Sequence, residues 1–185
     1  MNKKIKKYLP NFYYKNFFDI PYDFFAKKGI KALIFDLDNT LLSSSDSKLN
    51  SQTIKKMKEI QEKFKIFILS NSSKKKLKKV FKFNFFNYIY LKWYQKKPFL
   101  YGFKKILSLL NVNHDQVLMI GDQLITDILG SNKMNIKSIL VKPIDRKNEF
   151  FFTKFNRFLF EYPIISYTKK NYPHIYKEKF LDFIK

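Results

Sequence analysis

Asp36 and Asp38 stand one residue apart where a short apolar run, Ala32 to Phe35, comes to an end. In an extended chain, residues two apart point to the same side. Two carboxylates so placed can share a Mg²⁺ ion or divide the roles of nucleophile and acid. Asp122 brings a third carboxylate after another apolar run, and Asp127 lies five residues further on, near one helical turn away. Hard oxygen ligands without a His or Cys cluster favour Mg²⁺ over zinc. Lys97 supplies a fixed positive charge. Ser70, followed by Asn71, supplies a hydroxyl beside backbone N–H groups. A phosphoryl group needs such donors as its oxygens gain charge. The set describes Mg²⁺-assisted phosphoryl transfer with a carboxylate nucleophile.

Each residue alone also has an ordinary reading. An Asp at a strand end caps a turn, Ser70-Asn71 caps a helix, and Asp127 can complement a helix dipole. Lys97 is one lysine among 35. Their joint position after successive strands favours the chemical reading. His114 and His174 have no partner that suggests catalysis.

The elements that must position these groups alternate along the chain. Ala32–Phe35 reads as a strand buried on both faces. Asn50 or Ser51 caps a helix to about Phe64, with Ile54, Met57, Ile60 and Phe64 on one stripe. Lys65–Leu69 is a second strand, and Ser72 or Ser73 caps a lysine-rich helix. A third strand lies around Tyr88–Leu91, and Pro98 fits the first position of the next helix. Val117–Ile120, closed by Gly121, is a fourth strand. A helix from about Leu124 and a fifth strand, Ser138–Val141, complete the series. Strand and helix alternating in this way predict an α/β fold with a mainly parallel sheet. The ligand then sits beyond the carboxyl ends of the strands, where the strand order reverses. Residues 1–29 read as a basic, aromatic lead-in of irregular or helical structure, 30–145 as the domain proper, and 146–185 as a helical extension.

With 185 residues, 45% of them hydrophobic, the chain is long enough for one ordinary domain. It has no cysteine, so disulfides, thiolate metal sites and a thiol nucleophile are excluded. The longest stretches without a charged side chain are nine residues, such as Phe83 to Leu91, and a membrane-spanning helix needs about 18 apolar residues. The basic N-terminus lacks the apolar core of a signal peptide. A cytoplasmic protein is expected, at most peripheral at the inner face of a membrane. The net charge of +22 rests on 35 Lys and only 2 Arg. Arg is the residue suited to bidentate phosphate and base contacts, so compositional bias is favoured over a dedicated nucleic-acid site. Attraction to anionic lipid stays physically sensible at this charge.

These residues resemble the haloacid dehalogenase (HAD) superfamily of phosphohydrolases. The resemblance is carried by Asp36-Leu37-Asp38-Asn39-Thr40, by Ser70 in ILSNS, by Lys97 in KKP, and by GDQLITD from Gly121 to Asp127. A closer similarity is to the YqeG-type subfamily of class IIIA, through GIKALIFDLDNTLL, Lys97-Pro98, the segment from Ile120 to Pro143, and TKFNRF. It spans about Leu9 to Phe158. It implies a HAD-like Rossmannoid three-layer sandwich with a mainly parallel five-stranded sheet and no cap domain. It implies that Asp36 attacks phosphorus and that Asp38 protonates the leaving oxygen, then activates water. Mg²⁺ would be held by the Asp36 side chain, the Asp38 carbonyl and Asp122. Ser70 and the Asn71 N–H would bind phosphate oxygens, Lys97 would bridge nucleophile and phosphate, Asp127 would support the metal or orient Lys97, and Thr40 would brace the loop. An acid at position 38, where the superfamily's transport ATPases carry Thr, favours hydrolysis over a persistent phosphoenzyme. The sequence departs from the subfamily at Ser72, at Gly130-Ser131-Asn132-Lys133 and at Lys96, where Arg is common.

Only about 30 residues separate Asp38 from Ser70, and fewer than 30 separate Ser70 from Lys97. Elements the sheet requires fill both intervals, so no cap fits and the site should lie open. The subfamily is similar to mitochondrial phosphatidylglycerophosphate phosphatases, which implies a phospholipid headgroup phosphate as substrate. The lead-in, with Lys3, Lys4, Lys6 and Lys7 beside Tyr8, Phe12, Tyr13 and Tyr14, could rest on anionic headgroups or pack on the domain. The rivals are a soluble small-molecule phosphatase, a basic nucleic-acid or ribosome-associated binding protein that uses the run Lys74–Lys79, and a receiver-like switch. The order of Lys97 before the final acids disfavours the last.

Overall fold

A computed structural model describes residues 3–82 and 86–184. The chain runs through α1 (Lys3–Lys6), β1 (Phe12–Tyr14), α2 (Tyr22–Lys27), β2 (Ala32–Phe35), α3 (Ser51–Gln61) and β3 (Lys65–Leu69). It continues with α4 (Lys74–Val80), β4 (Asn87–Ile89), α5 (Tyr101–Leu110), β5 (Val117–Gly121), α6 (Leu129–Lys133) and β6 (Lys137–Val141). The tail forms α7 (Phe151–Asn156), a π-helical turn Arg157–Glu161, α8 (Tyr162–Asn171) and α9 (Pro173–Lys179). All strand pairs are parallel, in the order β1-β6-β5-β2-β3-β4.

The expected α/β architecture is present, with one strand more than the five expected. The sixth is β1, inside the lead-in read as irregular or helical. Pro10 blocks a helix there, and Phe12, Tyr13 and Tyr14 instead pair with Ile139, Leu140 and Val141. Asn11 fixes the register: its Oδ1 accepts the Ser138 N–H at 2.8 Å. Three residues are too short for a period of two to show in sequence. The aromatics of β1 pack on the domain, partly buried.

The central strand β2 is buried throughout because helices cover both sheet faces. Leu33 and Phe35 join Met57, Ile60 and Leu77 of α3 and α4 on one side. Ala32 and Ile34 meet Phe103 and Ile106 of α5 on the other. A third cluster joins Leu140 to Leu124, Ile128, Ile165 and Phe180, and so fastens the C-terminal helices to the sheet. Asn50 caps α3 through the Thr53 N–H, and Ser73 caps α4 through the Lys76 N–H. Pro98 does not open α5, which starts at Tyr101. It lies instead in a turn in which Phe99 N–H bonds the Lys96 carbonyl, because the preceding residue is tied elsewhere. In the intervals 38–70 and 70–97 the described residues form a loop over 39–50, crossover helices, strands, short connections and a 3₁₀ turn, Trp93–Gln95, with no cap.

Candidate active site

The strand order reverses between β2 and β5, so the crevice of an open parallel sheet falls there. Phe35 pairs with Ile120 in register. One step on, Asp36 leaves β2 with its N–H on the Ile120 carbonyl at 2.8 Å, and Asp122 leaves β5. A π-helical turn, Leu124–Ile128, then directs Asp127 back over the same point. Carboxylate oxygens of Asp36, Asp122 and Asp127 all lie within 4.8 Å of one another, and all three residues are buried.

Burial makes Asp36 and Asp122 resist ionisation, and the three acids repel one another. Lys97 answers two of them. Its Nζ donates to Asp36 Oδ1 and to Asp127 Oδ1, both at 2.6 Å. Burial opposes the ammonium charge, but Asp127 and Asp36 outweigh it and raise the Lys97 pKa. Burial raises Asp36 to about 7, offset in part by Lys97 and reinforced by Asp127 and Asp38. Burial also pushes Asp122 well up, offset in part by Arg157. Among the described residues, Asp36 Oδ2 and Asp122 Oδ1 are buried without a hydrogen-bond partner. Bare, buried carboxylate oxygens from adjacent strands are what a hard divalent cation requires, so the donor set fits Mg²⁺.

The other expected residues surround this centre. Asp38 is partly exposed and takes hydrogen bonds from the Ser72 hydroxyl and from Lys76 Nζ. Lys76 also donates to the Ser44 carbonyl at 2.7 Å. Ser70 is buried, and its hydroxyl accepts the Ser72 N–H at 3.1 Å, which spends a lone pair and not the hydroxyl proton. The Asn71 side chain clamps the backbone of Lys97 at both ends. Its Oδ1 accepts the Lys97 N–H at 2.8 Å and its Nδ2 donates to the Lys97 carbonyl at 3.0 Å. This tie keeps Lys97 and Pro98 out of α5.

Thr40 does not brace the loop through its hydroxyl, which is buried without a partner among the described residues. Asn39 does. It adopts a left-handed backbone at φ 63, a conformation Asn tolerates better than most residues. Its N–H reaches the Leu42 carbonyl at 2.7 Å. Its side chain accepts from the Asp145 N–H at 3.2 Å and donates to Glu149 Oε1 at 3.1 Å. Gly121 is required by the close approach of Asp127: a Cβ there would collide with that carboxylate.

Sequence reasoning did not assign a role to Arg157. It comes from the C-terminal extension, is 2% exposed, and is the largest fully buried side chain among the described residues. One nitrogen pairs with Asp122 Oδ2. Nη1 donates to the Asp122 carbonyl at 3.0 Å and to Glu161 Oε2 at 2.7 Å, and Nε donates to Glu149 at 3.0 Å. Glu161 in turn accepts the Leu124 N–H at 2.6 Å, at the start of the turn that carries Asp127. In the run Lys74–Lys79, Lys74, Lys75, Lys78 and Lys79 form the solvated face of α4, while Leu77 is buried in the core and Lys76 turns to Asp38. The second arginine, Arg146, donates to the Phe183 carbonyl and lies 4.7 Å from that ring. Arg157 thus holds Asp122, and Arg146 ties down the C-terminal tail.

Comparison with known proteins agrees with this geometry. The family model described as mitochondrial PGP phosphatase matches residues 1–144. The probable phosphatase YqeG of Bacillus subtilis is 31% identical over 153 residues, covering 82% of this chain and 87% of that protein. Among solved structures, a HAD family enzyme of Bacteroides thetaiotaomicron, in complex with magnesium and inorganic phosphate, superposes with a TM-score of 0.53. It is 14% identical, over 66% of this chain and 100% of that one. A HAD phosphatase of Thermococcus onnurineus gives 0.52 at 14% identity, over 71% and 98%. The two structures share the fold.

Proposed function

We propose, for a chain that belongs to the mitochondrial PGP phosphatase family, a Mg²⁺-dependent phosphomonoesterase that works through an aspartyl-phosphate. The observation that carries this reading is Lys97, held 2.6 Å from both Asp36 and Asp127 at the point where the strand order reverses. Its charge offsets the repulsion between an anionic nucleophile and a phosphate dianion. Asp36 forms a bond to phosphorus as the ester P–O bond breaks. Asp38 gives its proton to the departing alkoxide. Asp38 then takes a proton from water, whose oxygen displaces Asp36 from phosphorus and releases inorganic phosphate. Ser70 and the Asn71 N–H bind the phosphate oxygens. When bound by Asp36, Asp122 and the Asp38 carbonyl, with Asp127 in support, Mg²⁺ supplies charge neutralisation at those oxygens.

The substrate we assign is phosphatidylglycerophosphate or another phospholipid headgroup phosphate. The uncapped site and the description of the matching family support this choice. We place the protein in the cytoplasm, in peripheral contact with the inner face of an anionic membrane. Residues 30–145 supply the reacting groups, and 146–185 supply the support of Asp122.

Wild type and Asp36→Asn, assayed with Mg²⁺ against phosphatidylglycerophosphate, sugar phosphates and nucleotides, test the reading. Wild type releases phosphate fastest from the lipid, and Asp36→Asn releases none. Equal release by both removes Asp36 as nucleophile. Preference for a sugar phosphate or a nucleotide removes the lipid.

A further inference from the structure

We propose that two aromatic arms flanking the mouth of the site form a docking face for an anionic bilayer surface. The first arm is α7 with the turn after it. Phe151 and Phe152 are 74% and 77% exposed, and Phe158 and Phe160 are exposed beside them. Arg157 and Glu161, on the opposite side of this segment, are buried against the site. The second arm follows β4, where Trp93 is 82% exposed and Tyr94 and Phe99 stand out from the same loop.

Both arms reach the site mouth. The Phe150 ring lies 5.8 Å from Lys76 Nζ, which holds Asp38. Ser72, whose hydroxyl bonds Asp38, lines a shallow groove with Tyr90, Trp93, Tyr94 and Lys96. Asp38 follows β2 and the second arm follows β4, and the first arm is tied to the same carboxyl edge through Glu149 on Asn39 and Arg157 on Asp122.

Large apolar side chains in solvent are costly unless a partner covers them. The charge beside them identifies the partner. From Lys63 to His114 the chain has no Asp or Glu, while Lys74, Lys75 and Lys92 stand exposed. Glu149 and Glu161, at the two ends of the first arm, are buried on Arg157. Aromatic rings among lysines suit the headgroup boundary of an anionic membrane, where rings enter the acyl edge and ammonium groups meet phosphates. A second copy of the chain would bring like charges together. Among the described residues, no helix is long and apolar enough to cross a membrane, so the contact is peripheral. The inference rests on the proposed headgroup substrate for its orientation: docking on this face points Asp36 and Asp38 at a phosphate in the plane of the bilayer.

The test is co-sedimentation of the full chain with vesicles of phosphatidylglycerol and phosphatidylcholine, or of phosphatidylcholine alone. Wild type is compared with Phe151→Ser/Phe152→Ser/Phe158→Ser and with Trp93→Ser/Phe99→Ser. Wild type should bind the anionic vesicles in a salt-dependent way, and each variant should bind roughly tenfold more weakly. Hydrolysis of a soluble aryl phosphate should be unchanged in both variants. Wild type that ignores anionic vesicles, or variants that bind like wild type, overturns the proposal. So does a wild-type dimer that the variants dissociate, which gives the face to a second copy, or RNA retention lost in the variants, which gives it to nucleic acid. Vesicle binding without aryl phosphate hydrolysis overturns the phosphatase reading and leaves the face standing.

Discussion

Arg157 and Asp122, 35 positions apart, form a buried ion pair in which the guanidinium holds both the carboxylate and the backbone carbonyl of the aspartate. The pair joins the C-terminal extension to the strand that supplies a proposed metal ligand. It leaves Asp122 Oδ1 bare while Oδ2 is engaged. The arginine therefore orients the ligand as a partner behind a metal site does.

Removing that support should be costly in two separable ways. Arg157→Met leaves Asp122, Glu149 and Glu161 buried without their cation, a loss of about 3–5 kcal/mol, read by denaturant melts. Arg157→Lys keeps the charge but not the fork. It should fold, and should bind Mg²⁺ about 10–100-fold more weakly by calorimetric titration. Unchanged Mg²⁺ affinity in Arg157→Lys would reduce the pair to a structural tie.

Gly121→Ala places a methyl group against the Asp127 carboxylate. Gly121 ends β5 and is held there by pairing with Leu140, so Asp127 must move, and Lys97 loses one of its two anchors. Overpacking of this kind costs about 1–3 kcal/mol. A shift of about 1 Å in a reacting group costs about 10²-fold in rate. Steady-state kinetics should show kcat falling far more than KM rises.

Burial, partly offset by Lys97, pushes Asp36 up to about 7 in the metal-free protein. The native state then binds more protons than the unfolded chain between the ordinary carboxylate range and neutrality. Stability from this group is full below that range and is lost as pH rises through 7. Mg²⁺ competes with the same proton, so it gains where the proton leaves. The rise in Tm on adding Mg²⁺ should therefore be larger at pH 8 than at pH 6. Asp36→Asn should flatten that difference.

Much of this was legible in sequence because it depends on local rules. Acids after buried runs, caps before amphipathic helices and the short intervals around Ser70 each leave a pattern within a few residues. Asp36, Asp38, Ser70, Asn71, Lys97, Asp122 and Asp127 duly gather at one sheet edge. What stayed hidden was long-range. Strand β1 is three residues long and is defined by pairing with β6. Arg157 sits in an aromatic tail with no spacing that points to Asp122. Pro98 obeys a helix-start preference in sequence, but the Asn71 clamp on Lys97 overrides it. The family resemblance implied Thr40 as the brace, yet its neighbour Asn39 has the left-handed backbone and the side-chain ties to Asp145 and Glu149.

Asn39 separates backbone freedom from side-chain bonding, because its φ of 63 and its two side-chain bonds can be removed independently. Asn39→Gly keeps the left-handed conformation and forfeits the ties to Asp145 and Glu149, a loss of about 1–2 kcal/mol. Asn39→Ala loses the same ties and adds roughly 1 kcal/mol of strain. Asn39→Asp is nearly isosteric and tolerates the same φ, yet it turns a donor towards Glu149 into a second carboxylate. If the bond to Glu149 fastens the loop after Asp36, the Asp variant should be the least stable of the three at pH 8. It should recover towards wild type as pH falls into the carboxylate range, where one of the facing acids takes up a proton. Denaturant midpoints at pH 5 and pH 8 measure this. An Asp variant that melts with the Gly variant at both pH values would show that Glu149 looks to Arg157 alone.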